Sequence, residues 1–107
     1  MEKWEKVKLK LKNKAPQACL WHQCDPALVS TARIRREKDW VTVAVYDYET
    51  LVHLFYEDFK SNPDTETSED IDVYEEAVEF VHYNIIGSYI GKRTPIYWSE
   101  GKRYNPW

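Results

Sequence analysis

The apolar residues change their spacing at Asp47. Before it, Val41, Val43 and Val45 alternate with Thr42 and Ala44, a β-branched alternation that suits a strand. After it, Leu51, Val52, Leu54, Phe55 and Phe59 recur at helical spacing as far as the Ser61-Asn62-Pro63 stop, with Asp47 as the N-cap. A second and longer helix is expected from Ser68 as N-cap. Its apolar positions are Ile71, Tyr74, Val78, Val81, Ile85 and Tyr89, and Gly91-Lys92-Arg93 supplies the stop. Gly87 inside that pattern signals close packing or an early end.

Strands are expected on either side of this helical pair. Lys6 to Lys12 alternates strictly, with Val7, Leu9 and Leu11 on one face and Lys6, Lys8, Lys10 and Lys12 on the other, which reads as a strand. Ala18 to Cys24, closed by Asp25-Pro26, reads as its short hairpin partner. Ser30 to Arg36 and Trp40 to Tyr46 read as two strands joined by a turn near Glu37-Lys38-Asp39. Pro26 to Lys38 also suits a helix capped by Asp25. Thr94 to Trp98 is the last strand, followed by a turn at Ser99 to Lys102 and a tail from Arg103 to Trp107. The expected fold is therefore α+β, a mainly antiparallel sheet of four to five strands packed on a two-helix hairpin.

A length of 107 residues fits one domain, and 43% apolar with 15% aromatic residues is enough for a packed core. No apolar run approaches the length of a membrane span, and the start of the chain lacks the apolar centre of a signal peptide, so a soluble cytoplasmic protein is expected. Cys19 and Cys24 are too few for a disulfide framework and read as small core side chains.

Charge is segregated along the chain. Residues 1–46 hold ten basic and five acidic side chains, 47–82 hold one and twelve, and 83–107 hold four and one. With helices on one face of a sheet, this gives a basic side and an acidic side, and clustered charge of one sign steers a partner of the other. Lysines that guard a strand edge and carboxylates that suit a helix dipole would account for the same residues without any partner.

On the acidic side, Glu57, Asp58, Glu69, Asp70, Asp72, Glu75, Glu76 and Glu79, with Asp64 and Glu66, form a carboxylate surface able to imitate a nucleic acid and occupy the basic groove of another protein. On the basic side, Lys6, Lys8, Lys10, Lys12, Arg33, Arg35 and Lys102, with Trp21, Tyr97 and Trp98, suit phosphates and stacked bases.

Catalytic patterns are absent from the sequence. Cys19, His22 and Cys24 are metal-ligating types, but their spacing matches no standard zinc pair, and a strand would split them between two faces. Three glycines make no phosphate-cradling loop, and no nucleophile motif stands out. No cofactor, metal or enzymatic activity is expected. Of Trp4, Trp21, Trp40, Trp98 and Trp107, most are expected in the core or half-buried on strands, with Trp107 exposed or buried by a partner.

The stretch Asp47-Tyr48, the run Tyr74-Glu75-Glu76-Ala77-Val78-Glu79-Phe80-Val81-His82-Tyr83-Asn84-Ile85-Ile86-Gly87-Ser88-Tyr89-Ile90-Gly91, and Thr94-Pro95-Ile96 resemble small uncharacterised proteins encoded by bacteria and their phages. The resemblance covers less than half the chain and implies a bacterial or phage origin. The leading expectation is thus a non-enzymatic phage or mobile-element protein. Its acidic helical face would inhibit a host nucleic-acid-processing or defence protein that has a basic surface. The alternative is a nucleic-acid-binding module using the lysine-rich face. A small enzyme or metal protein comes third, and the oligomeric state stays open.

Overall fold

The computed structural model describes residues 2–61 and 70–104. The fold is α+β: three α-helices and a four-stranded mixed sheet among the described residues. Helix α1 (Lys3–Lys14) comes first, and strands β1 (Leu28–Arg36) and β2 (Asp39–Asp47) form a hairpin. Helices α2 (Tyr48–Lys60) and α3 (Asp70–Val81) follow, then β3 (Ile96–Ser99) and β4 (Lys102–Arg103).

The sheet order is β1-β2-β3-β4, antiparallel at both outer pairs and parallel between β2 and β3. The parallel pair follows from the connection: a chain that leaves β2 through two helices returns to the same end before it enters β3. The strands at Ser30 to Arg36 and Trp40 to Tyr46 are present, and the helical alternative for Pro26 to Lys38 is limited to a 3-10 turn at Asp25–Ala27. Glu37 and Lys38 both have positive φ (50° and 72°), the two-residue hairpin geometry whose twist matches that of the strands.

Two expectations are corrected. Lys6 to Lys12 is helical, because Trp4, Val7 and Leu11 at i, i+3 and i+7 pack on the core while Leu9 points the other way and is 51% exposed. Lysine, leucine and glutamate are good helix formers, and the Glu5 carboxylate accepts a hydrogen bond from the Glu2 backbone N–H (3.2 Å) to close the first turn. Ala18 to Cys24 forms no strand; it is a loop between α1 and the 3-10 turn, with Gln23 at φ 62°.

Asp47 caps α2 as expected, accepting from the Thr50 backbone N–H (3.1 Å) and hydroxyl (2.6 Å). Phe55 and Phe59 of α2 meet Phe80 of α3 at ring distances of 4.7 and 5.5 Å. Helix α3 ends at Val81 and continues as a π-helical turn, His82–Ile86, which turns Ile85 and Ile86 into the core. Gly87 ends it: a Cβ there would stand 2.8 Å from the His82 carbonyl oxygen. The proposed Ser68 cap, the acidic loop Asp64 to Thr67, and Asn105 to Trp107 of the expected tail lie outside the described residues.

The main core lies on the sheet face that carries Ala44, Tyr46 and Tyr97, under α1, α2, α3 and the π turn. The opposite face has a smaller cluster, with Val43, Val45 and Ile96 buried among half-buried Ala32, Ile34, Val41 and Trp98. At the centre, Tyr46 and Tyr97 are register partners, both 0% exposed, with rings stacked at 6.3 Å. The Trp21 backbone N–H donates to the Tyr46 hydroxyl (2.9 Å) and its indole N–H donates to the Tyr97 hydroxyl (2.6 Å). Burial pushes both phenols well above their ordinary pKa, so they stay protonated.

Tyr97→Phe removes the acceptor of the Trp21 indole N–H and is expected to destabilise the protein by about 1–3 kcal/mol, read by urea unfolding. An unchanged midpoint would show that the bond contributes nothing.

Candidate functional site

On strands β1 and β2, side chains alternate between faces, and the register pairs Arg33 with Thr42 and Arg35 with Trp40. These four therefore share a face with Ala44 and Tyr46 but lie further out, towards the hairpin turn. Helix α1 packs across the hairpin on this side, and its last turn brings Lys14 and the following Ala15-Pro16-Gln17 against Trp40 and Thr42.

Arg93 completes the arrangement, and the backbone around it is held from several sides. The buried Arg36 guanidinium donates to the Lys92 carbonyl (3.1 Å) and the Thr94 carbonyl (2.6 Å), one on either side of Arg93. The Cys19 N–H donates to the Arg93 carbonyl (3.2 Å), and the Thr94 hydroxyl bonds Gly91 O and Ile90 N. Lys92 pairs with Asp39 at 2.7 Å, and that hydrogen bond and charge hold the Asp39 carboxyl below its usual range. Arg93 is thus presented by an anchored loop.

The result is a concavity of about 420 Å³, walled by Lys14, Gln17, Trp40, Thr42 and Arg93. Trp40 is 60% exposed, whereas Trp4, Trp21 and Trp98 are half-buried, and the Arg33 guanidinium lies 5.4 Å from the Trp40 ring centroid. Among the described residues, Lys14, Arg33, Arg35 and Arg93 make no ion pair with a carboxylate within 4 Å, although the charge of Arg93 adds to that of Lys92 in holding the Asp39 carboxyl low. Lys3, Lys6, Lys10 and Lys14 recur at three- and four-residue spacing, so they form one stripe along α1 that ends in the concavity. The site can hold anionic groups on its rim and a flat ring against the indole.

The residues singled out for the basic side separate into two groups. Lys6 and Lys10 are exposed on that stripe, and Arg33 and Arg35 are exposed on β1. Lys8 and Lys12 lie on the other flank of α1, along an apolar groove of about 490 Å³ between that helix and the loop carrying Leu20. Lys8 is paired there with Asp25 (3.0 Å). Trp21 is half-buried, with its backbone and indole N–H groups bonded to the core tyrosines; Tyr97 is fully buried, and Lys102 is exposed on β4.

On the acidic side, Glu57 and Asp58 of α2 and Glu75, Glu76 and Glu79 of α3 are all exposed. Asp70 and Asp72 fall in the first turn of α3, and Glu69 lies outside the described residues.

Lys14, Gln17, Thr42 and Arg93 carry no sequence signal as site residues, since only the packing of α1 and of the loop before β3 on the hairpin brings them together. Nor does the sequence signal a cluster that joins the start of α2 to the chain beyond β4. There the Tyr48 and Tyr104 hydroxyls lie 2.8 and 3.1 Å from His82 Nε2, and burial, then the hydrogen bond with Tyr104, raises the Tyr48 phenol pKa.

Among the described residues no group of three His, Cys, Asp or Glu side chains is gathered to hold a metal. Cys24 is buried and its thiol is pushed up to about 11, by burial and then by Asp25. Among the described residues no helix is long and apolar enough to cross a membrane. The chain matches no protein-family model, no curated protein and no solved structure.

A thiol held protonated and out of solvent is a poor nucleophile. Iodoacetamide at pH 8 is expected to alkylate Cys19 and spare Cys24 in the folded protein, with both modified after unfolding, as peptide mapping would read. Modification of Cys24 at the rate of Cys19 would contradict its burial.

Proposed function

We propose that the protein binds nucleic acid through the basic end formed by α1 and the outer half of the β1–β2 hairpin. One observation carries this reading. Lys14, Arg33, Arg35 and Arg93, none of them in an ion pair with a carboxylate among the described residues, are gathered around an exposed tryptophan at a concave surface. Unpaired cations bind phosphates by releasing condensed counterions, and an exposed indole offers a face to a base.

The formal net charge of −3 does not oppose this, because the negative charge is concentrated on the segment that holds α2 and α3. A field divided in this way orients the protein on a polyanion, basic end first.

A second reading has its own support. The exposed Glu57, Asp58, Glu75, Glu76 and Glu79 have, among the described residues, one basic neighbour within 4 Å, His53, which lies 3.8 Å from Glu57. Such a face suits a partner protein with a basic groove, as an inhibitor of a nucleic-acid-processing or defence protein would require. The resemblance to bacterial and phage proteins would put that partner in a bacterial host.

Fluorescence anisotropy with labelled oligonucleotides separates the two. The nucleic-acid reading expects log K to fall against log salt with a slope of about −3 to −4 for four phosphate contacts. Arg33→Glu with Arg35→Glu should weaken binding roughly ten- to a hundredfold, and reversing Glu75, Glu76 and Glu79 to lysine should not weaken it. Absence of salt-dependent binding would overturn this reading. A stoichiometric, nuclease-resistant protein partner lost on the glutamate reversal would establish the second.

A further inference from the structure

Resting on the nucleic-acid reading above, we propose that the concavity beside Trp40 selects single strands by taking one unpaired base onto the indole. Its neighbouring phosphates would then lie on Lys14 and Arg93. The two sides of the cavity offer different chemistry. Trp40 supplies a flat apolar wall, while Gln17 and Thr42 supply an amide and a hydroxyl, groups that donate and accept hydrogen bonds.

A base inside a duplex has its faces stacked and its pairing edge occupied, so it can use neither wall. An unstacked base can use both. The volume of about 420 Å³ falls in the range of sites for small ligands and is open to a strand that enters and leaves.

The indole already has one neighbour that favours its present orientation. Arg33, 5.4 Å from the ring centroid, contacts it from β1, and any side-chain freedom this contact removes is not lost again when a base stacks. The cations also continue beyond the cavity, to Arg35 on the hairpin and Lys10 on α1. Such a track serves a strand of several nucleotides and is superfluous for a free mononucleotide.

The test compares the full-length protein with Trp40→Ala and Trp40→Phe on a labelled oligothymidylate, on a duplex of equal length and on thymidine monophosphate. Circular dichroism serves to verify that each variant is folded. The wild type is expected to bind the single strand at least tenfold more tightly than the duplex and the mononucleotide more weakly than either. Trp40→Ala should bring single-strand affinity down to the level of the duplex, a loss of roughly tenfold or more, and Trp40→Phe should recover most of it.

Equal affinity for the two oligonucleotides, or a preference that survives in Trp40→Ala, would overturn the inference. If the Arg33 and Arg35 reversal still weakened binding at least tenfold in that case, the nucleic-acid reading itself would stand. A mononucleotide bound as tightly as the strand would replace the strand with a free nucleotide and overturn the inference too.

Discussion

The stacked pair Tyr46 and Tyr97, capped by Trp21, is the contact on which the arrangement of the molecule turns. The two rings come from adjacent parallel strands and are wholly buried, and each hydroxyl accepts a hydrogen bond from the same tryptophan. Burying a large apolar side chain of this kind contributes roughly 1.5–3 kcal/mol of transfer free energy. A buried hydroxyl opposes that gain unless it is hydrogen-bonded, and Trp21 supplies a donor to each. The pair aligns β3 with β2, and Trp21 fixes the loop between α1 and the hairpin.

From that alignment the basic end follows. Once β3 lies beside β2, the segment that precedes it runs beside Trp40 and Thr42, and Arg36 bonds its backbone on both sides of Arg93. With the loop after α1 fixed at Trp21, the last turn of that helix lies over the hairpin. Four cations from three separate segments of the chain thus converge without any of them being in the core. The carboxylates of α2 and α3 belong to other elements, and the molecule keeps the charge segregation of its sequence as a division in space.

Much of the fold was legible in the sequence where a single period dominates. The alternation of Val41, Val43 and Val45, the Asp47 cap and the Leu51-to-Phe59 pattern identify β2 and α2, because side-chain direction there is a local matter. Lys6 to Lys12 misled for a physical reason. Val7 and Leu11 satisfy both a period of two and a spacing of four, and Leu9 decides for the strand only if it is assumed to be buried. The sheet was expected to be mainly antiparallel, and two of its three pairings are; the third is parallel because pairing direction depends on how a connection returns, which no local pattern records.

Of the site, Arg33 and Arg35 were legible as exposed strand cations, and Lys6 and Lys10 as exposed lysines, even under the wrong element. The bonds of Trp21 to the two core tyrosines were not legible, because an aromatic in a loop carries no periodicity to show where its N–H groups go. Lys14 and Arg93 lie 79 positions apart in sequence, and only tertiary packing makes them neighbours.

The most direct measurement is the map of backbone amide shifts in a ¹H–¹⁵N NMR titration with a short single-stranded oligonucleotide. If the basic end is the binding surface, the perturbed amides cluster at Lys14 to Gln17, Arg33 to Thr42 and Lys92 to Thr94, while those of Glu75 to Glu79 stay in place. Shifts centred on α2 and α3, or none at saturating oligonucleotide, would contradict the account.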